Sequence, residues 1–403
     1  MKRFVVIVLD GLGIGETPDV AEDRKQDIGA NTLGHILETY PDMKIPHLTK
    51  LGIKKALCYP KGSEEDDAVD ACYSRIQFAH DGADTFYGHQ EIMGSKPVKP
   101  YKHTLNEYLE TVTEVLKSNG YNVRRVGDEQ KFIVVDEVMT IADNIECDLG
   151  LAINVTGALD VVSFEEVQRV GKLVRQQVKV PRVIALGGSE VTLQDILQAA
   201  EIKGDYIGIN APRSGVYNKN YQCVHLGYGI DSKKQVPYLL GQEGIKTYLL
   251  GKVADIVENG CGESYPMVPT QEVLQKTITL LETVDQGFIC TNVQETDLAG
   301  HAQNTGRYQE VLEIADEYIG KIKEKLNPED ILVVMADHGN DPTIGHSKHT
   351  REYVPLLVYS PKNIQSGLFQ QQDTLANVGA AVCDYFHIEY ALYGKSFLEH
   401  IGS

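Results

Sequence analysis

The segment Ala336-Asp337-His338-Gly339-Asn340-Asp341 sets a carboxylate and an imidazole side by side, directly after the apolar run Ile331-Leu332-Val333-Val334-Met335. Adjacent residues at a strand tip point to opposite sides, which suits ligands shared between neighbouring ions. Twelve residues after Asp337 stands His349, and His346 competes with it as a ligand at a less suitable spacing. Asp297 and His301 lie four positions apart, so a helical turn or a tight loop around Gly300 brings both onto one cation. Asp10 ends another apolar run and opens Gly11-Leu12-Gly13-Ile14-Gly15, where Glu16 replaces the third glycine of a dinucleotide fingerprint. A carboxylate there would repel a pyrophosphate; it serves as a metal ligand, or as a turn or helix-cap residue. Ala83-Asp84-Thr85-Phe86-Tyr87-Gly88-His89 supplies a hydroxyl. Thr85 reads as a helix N-cap or, beside metal ions, as a nucleophile that carries a phosphoryl group.

Asp10, Asp297, His301, Asp337, His338 and His349, with the Thr85 oxygen, suffice for two divalent ions. Oxygen and nitrogen donors without thiolates fit Mn²⁺ or Zn²⁺, whereas Mg²⁺ would lean more on oxygen. Two adjacent ions polarise a phosphoryl group and stabilise both the attacking and the leaving oxygen. The formal net charge of −19 over 403 residues repels nucleic acid and anionic membranes, leaving a phosphorylated small molecule as the expected partner. An anion site on so acidic a chain needs its own local positive charge, and bound metal provides it. The seven cysteines are scattered and form no CxxC pair, which fits reduced thiols in the cytoplasm. The opening MKRFVVIVLDG is too short in apolar residues for a secretion signal, and no run spans a bilayer. The sequon Asn154-Val155-Thr156 is therefore taken as chance, and Glu64-Glu65-Asp66-Asp67 as a solvated loop.

The elements that must hold these residues are short apolar strands, expected at Phe4 to Leu9, Gly287 to Thr291, Ile331 to Ala336 and Val354 to Tyr359. A helix over Tyr308 to Leu326 puts Leu312, Ala315, Ile319 and Ile322 on one side. This alternation predicts a doubly wound, parallel α/β sheet whose chemistry gathers at the strand ends. After Ser95-Lys96-Pro97-Val98-Lys99-Pro100 the motifs stop, and a smaller α/β domain is expected as an insertion. Residues 98–219 would form it, with 1–97 and 220–403 as the core. Its expected helices are Thr104 to Asn119 and Phe164 to Gln177; its strands are Lys131 to Val135, Ala152 to Val155 and Arg182 to Ala185.

Taken together, the order and context of Asp10, Thr85, Asp297/His301, Asp337-His338 and His349 resemble the alkaline phosphatase superfamily, and within it the phosphopentomutase family. The resemblance is carried by Asp10 with Gly13-Ile14-Gly15-Glu16, Asn31-Thr32-Leu33-Gly34-His35, and Asp84-Thr85 with Gly88-His89 and Glu91-Ile92-Met93-Gly94. Gly251-Lys252, Asp337-His338-Gly339-Asn340-Asp341-Pro342-Thr343 and His349-Thr350-Arg351-Glu352-Tyr353 complete it. It implies an alkaline phosphatase-like core in which Asp10, Asp337 and His338 hold one Mn²⁺ beside Thr85, and Asp297, His301 and His349 hold the other. It also implies a phosphothreonine that interconverts the 1-phosphate and 5-phosphate of ribose or deoxyribose, primed by a sugar bisphosphate, under an inserted cap. Lys252, Arg213 and His89 are the candidate substrate contacts; Lys252, His89 and His35 read equally as supports of the site or as plain structural residues. The chain departs from the family where Tyr87 and Gln90 replace a usual Thr and Trp. It departs again where Leu186-Gly187-Gly188 replaces an expected arginine. Those departures leave a second reading, a related mutase or phosphatase acting on another phosphorylated small molecule.

Overall fold

The computed structural model describes residues 2–58, 68–99, 101–146, 149–362, 366–390 and 393–401. Pro100, Cys147 and the acidic cluster at 64–67 lie outside them. Contacts divide the chain into two units, residues 1–97 with 231–403, and residues 98–230.

In chain order the first unit opens with strands β1 (Lys2–Leu9) and β2 (Cys72–Ile76). The second unit follows with β3 (Val123–Val126), β4 (Phe132–Val135), β5 (Met139–Asp143), β6 (Ala152–Ala158), β7 (Arg182–Gly188), β8 (Ala200–Lys203), β9 (Tyr206–Ile209) and β10 (Gln222–Gly227). The first unit resumes with β11 (Thr247–Leu250), β12 (Glu263–Tyr265), β13 (Gln286–Val293), β14 (Ile331–Met335), β15 (Val354–Tyr359) and β16 (Gly367–Leu368).

Every residue from Phe4 to Leu9 is fully buried, as a strand covered on both faces requires. β1 accordingly sits inside the first sheet, whose order is β12-β11-β13-β1-β14-β15-β2-β16. It runs parallel to β13 with Leu9 opposite Val293, and to β14 with Val8 opposite Met335. β11 is parallel to β13 with Leu250 opposite Thr291. Four carboxyl-terminal strand ends are thereby level, and Asp10, Asp337, Lys252 and the turn into Asp297 all leave from one edge. The helix Thr305–Glu324 forms with Leu312, Ala315, Ile319 and Ile322 fully buried, as its periodicity predicts. The expected parallel arrangement fails at β15, which pairs antiparallel with both β14 and β2. The connection from β14 to β15 is a loop carrying site residues, with no crossover helix to reverse the chain a second time.

At the other end of β1, Arg3 and Asp330 form an ion pair with no exposed side-chain surface. Arg3 Nε donates to Asp330 Oδ2 at 3.0 Å and its backbone N to Oδ1 at 2.9 Å, while the guanidinium also reaches the carbonyl oxygens of Leu281 and Lys325.

The second unit has its own core, with Val112, Leu116, Ile133, Ile141, Ile153, Val167, Val170, Val174 and Val183 fully buried. Its sheet runs β10-β7-β6-β5-β4-β3, with β8 and β9 paired beside β5. β6 and β7 are parallel and joined by the helix Phe164–Gln177. The return to the core expected at residue 220 falls too early, because β10 pairs antiparallel with β7, Gln222 opposite Gly187, and stays in this unit to residue 230. Asn154 is buried in β6 and accepts from Asn144 Nδ2 at 3.0 Å, so the sequon offers no acceptor side chain. Asp143 accepts from the backbone N–H groups of Leu105 (2.6 Å) and Ile207 (3.1 Å). Burial pushes its carboxyl up to about 6 despite those bonds. Among the described residues no helix is long and apolar enough to cross a membrane, and Cys58, Cys261, Cys290 and Cys383 are free thiols.

Two measurements follow from these buried charges. Asp330→Ala strands the Arg3 guanidinium in the core and is expected to cost about 3–5 kcal/mol in denaturant unfolding; a loss under 1 kcal/mol would contradict the buried pair. Asp143 holds its proton more tightly folded than unfolded, so its carboxyl favours folding at low pH, and that contribution is lost as pH rises from about 4 through about 6. Asp143→Asn should therefore show a flatter fall of stability over that window, by about 2–3 kcal/mol at most, and an unchanged slope would refute the assignment.

Candidate active site

The Asp10 side chain is fully buried, with Oδ2 2.8 Å from Lys252 Nζ and Oδ1 3.4 Å from His338 Nε2. The chain can turn away behind it because Gly11 adopts φ +76°, where a Cβ would meet Asn340 at 3.0 Å and Asp297 at 3.3 Å. Asp337 Oδ2 accepts from Thr85 Oγ1 at 2.6 Å and lies 3.3 Å from His338 Nε2; Oδ1 accepts from Gly11 N at 3.3 Å. Asp297 Oδ2 lies 2.9 Å from Lys252 Nζ, and its Oδ1 accepts from Asn340 Nδ2 at 2.7 Å. Lys252 Nζ also donates to Thr85 Oγ1 at 3.3 Å.

Thr85 is the first residue of the helix Thr85–Ile92, and the cap is Asp84, whose side chain accepts from Tyr87 N at 3.2 Å. The hydroxyl thus stands at a helix amino terminus, where partial positive charge favours an anion.

The three imidazoles share one orientation. Nδ1 of His338 donates to Gly339 O at 2.9 Å, that of His301 to Ser347 O at 2.7 Å, and that of His349 to Ala83 O at 2.8 Å. Each backbone bond takes the Nδ1 proton and turns Nε2 into the cluster, where it offers a lone pair to a cation when the ring is neutral. Nε2 of His349 lies 3.0 Å from Nε2 of His301 and 3.3 Å from Asp297 Oδ1, and Nε2 of His301 lies 3.4 Å from Asp297 Oδ2. Two acceptor nitrogens facing each other beside a carboxylate repel unless a cation or proton lies between them. Asp10 Oδ1 and His338 Nε2 are buried with no hydrogen-bond partner. Such a donor set fits divalent cations. Among the described residues two groups have ligand atoms within 4.8 Å of one another, Asp10/Asp337/His338 and Asp297/His338/His349.

The charges respond to one another. Burial would lower His338, but Asp337 and then Asp10 outweigh it and push the imidazole up to about 10. Burial would raise Asp337 and Asp297, yet His338 for the first and Lys252 for the second hold each well below the usual carboxylate range. Burial likewise opposes the charge on Lys252, and Asp10, Asp297 and Asp337 drive its pKa upward instead. On His349, burial and then His338 depress the imidazole.

All six expected ligands, Thr85 and Lys252 therefore meet at one edge of the sheet. Of the other two expected substrate contacts, His89 lies beside this cluster and Arg213 lies in the second unit. His89 has no exposed surface; its Nδ1 lies 2.9 Å from Thr85 O and 3.2 Å from Asp337 Oδ2, and Asn292 Nδ2 donates to its Nε2 at 3.0 Å. It supports Thr85 from behind. Arg213 lies in the second unit with its guanidinium on Glu201 Oε1 (2.8 Å) and the carbonyls of Gln198 (2.8 Å) and Ala200 (3.3 Å). His35 bonds Asp341 Oδ2 at 2.6 Å, and His346 faces Asp27 Oδ1 at 3.3 Å instead of the cluster. Sequence reasoning missed Asn292 and the fully buried Glu352, which accepts from Thr32 N (2.9 Å), Thr32 Oγ1 (2.7 Å), Thr350 Oγ1 (2.6 Å) and Gly15 N (3.1 Å). Glu352 stands inside the His349–Tyr353 motif, and no sequence signal marks Asn292.

Fold and site define a metalloenzyme, and the family described as the metalloenzyme superfamily matches residues 2–390, so the chain belongs to it. A phosphopentomutase of Clostridium botulinum (strain Alaska E43 / Type E3) is 30% identical over 420 residues, covering 99% of each chain. One of Agathobacter rectalis is 30% identical over 423 residues with the same coverage. A phosphoglycerate mutase structure from Leishmania mexicana aligns over 98% of this chain and 97% of its own, at 13% identity and a TM-score of 0.48. The chain belongs to the phosphopentomutase family, and it is an enzyme of that isomerase type.

If these side chains hold cations, Mn²⁺ at 100 times its dissociation constant should stabilise the wild type by about 2.7 kcal/mol. The Asp337→Asn variant should lose most of that gain in a thermal-shift titration. An equal gain in both proteins would remove Asp337 from the ligand set.

Proposed function

We propose that this phosphomutase interconverts the 1-phosphate and 5-phosphate of ribose or deoxyribose in the cytoplasm, through a phosphothreonine at Thr85. The observation that carries this reading is the convergence on one oxygen. Thr85 Oγ1 donates to Asp337 at 2.6 Å, receives Lys252 Nζ at 3.3 Å and stands at a helix amino terminus. Asp337 orients the hydroxyl, and the Lys252 ammonium faces the oxygens of a phosphoryl group attached there. Asp10, Asp337 and His338 would hold one divalent ion and Asp297, His301 and His349 the other, with Mn²⁺ the first choice over Zn²⁺ and Mg²⁺. When bound, the pair supplies Lewis-acid stabilisation of the transferring phosphoryl group. The phosphothreonine gives its phosphoryl group to the sugar phosphate, and the resulting bisphosphate returns its other phosphoryl group to Thr85. A sugar bisphosphate therefore primes the enzyme. In this reading the second unit is the cap.

The alternative, a related mutase or phosphatase for another phosphorylated small molecule, draws on the second unit. Arg213 is already bonded to its own unit, and a Cβ at Gly188 would stand 2.0 Å from Val216 O, so backbone closes in where the family pattern has its arginine region. Mass spectrometry after incubation with ribose 1,5-bisphosphate should find phosphate on Thr85 of the wild type and none on Thr85→Ala. That variant should lose roughly 10³-fold or more of its mutase rate, and full activity in it would end the phosphothreonine reading. Phosphorylated Thr85 with no turnover of ribose 5-phosphate would favour the alternative.

A further inference from the structure

Thr85 and Lys252 come from different elements, and no sequence spacing fixes the 3.3 Å between their side chains. Lys252 precedes the helix Val253–Ile256, a single turn too short to hold itself in place. Its near end is anchored at Gly251, which has φ +80° and packs so closely that a Cβ would stand 2.3 Å from Asn292 O. Its far end is held from the nucleophile's own helix. Gln90, 2% exposed, donates Nε2 to Ile256 O at 2.5 Å, the carbonyl that ends the Lys252 turn. Gln235, 1% exposed, donates Nε2 to Gln90 Oε1 at 2.6 Å and to Ser95 Oγ at 2.9 Å. Gln235 is in turn fixed by the next residue, since Val236 N donates to Met93 O at 3.1 Å. Gln90 is also where this chain departs from the usual tryptophan, a residue whose single indole N–H could not both donate to Ile256 and accept from Gln235.

We propose that Gln90 and Gln235 are paired positioning residues that set the Lys252 ammonium against the Thr85 oxygen. Gln90 links the two helices through its donor to Ile256 O, and Gln235, donating to the Gln90 oxygen, fixes which way the Gln90 amide faces. The role rests on the phosphothreonine reading, because only a phosphoryl group on Thr85 makes that register matter for rate. The alternative is that the two amides merely satisfy buried polar groups, in which case their loss would lower stability and nothing else.

Gln90→Leu keeps the volume and removes the link. In the metal-loaded enzyme we expect kcat to fall roughly ten- to hundredfold with KM unchanged, and Gln235→Leu to fall in the same direction by less. In a Lys252→Ala background, Gln90→Leu should slow the residual turnover no further. A second readout does not use activity. The ¹H–¹⁵N ammonium resonance of Lys252, assigned by its absence in Lys252→Ala, should be visible in the wild type and broadened by solvent exchange in Gln90→Leu. Equal slowing in both backgrounds, or a lower melting temperature with unchanged kcat and an unchanged resonance, would overturn the proposal. If the wild type turned over no sugar phosphate, the functional reading would fail while the resonance still tested the positioning. Should Gln90→Leu not fold, Gln235→Leu carries the same comparisons.

Discussion

Three carboxylates buried at one sheet edge cannot sit together unless positive charge sits among them. Asp10 and Asp337 have no exposed surface and Asp297 has 2%, so water screens none of the three. Lys252 reaches two of them and His338 lies against the other pairing, Asp10 with Asp337. Removing solvent from such charges is expensive, and mutual attraction offsets the cost only with good geometry. Much of the first unit supplies that geometry. Parallel strands end level, so the acids arrive at the same height. Asn340 fixes one oxygen of Asp297, and Gly11 N meets one oxygen of Asp337.

The imidazoles show the same economy. Each gives its Nδ1 proton to a main-chain carbonyl, so the backbone selects the tautomer and no further side chain is needed for it. The cost is that Nε2 of His301 and Nε2 of His349 face each other, which a cation or a proton between them relieves. A site built in this way suits a cation before any substrate arrives. The loop from Asp337 to His349 is fastened at several points. Gly339 and Thr350 exchange backbone hydrogen bonds at 2.8 and 3.1 Å, and Arg24 Nη2 donates to His349 O at 2.8 Å.

The parts of this design that were legible in the sequence are those where an unusual residue type follows a recognisable run. Asp337-His338 after Ile331–Met335 is the clearest case, since two charged-type side chains at a buried strand tip have little structural purpose. Strand and helix periodicity gave the helix at Thr305–Glu324 and most of the strands around the site. The antiparallel β15 was not legible, because a strand buried on both faces has the same apolar run in either direction. Neither was β10, whose mixed polarity looks like a linker until it is seen paired with β7. The buried polar supports stayed hidden for a different reason. Gln90, Gln235, Asn292 and Glu352 are residue types that usually face water, and only tertiary packing reveals that they do not.

Two separate cores have a consequence for how such an enzyme can change. The acids, imidazoles, Thr85 and Lys252 all belong to the first unit, and their mutual dependence leaves little room for substitution. The second unit folds around a core of its own, so a change there need not disturb the stability of that buried group of charges. In that unit packing closes around Gly187 and Gly188, and the Arg213 guanidinium is consumed by Glu201 and two carbonyls. The packing of the second unit is therefore set by residues other than those that gather Asp10, Thr85, Lys252 and Asp337 in the first.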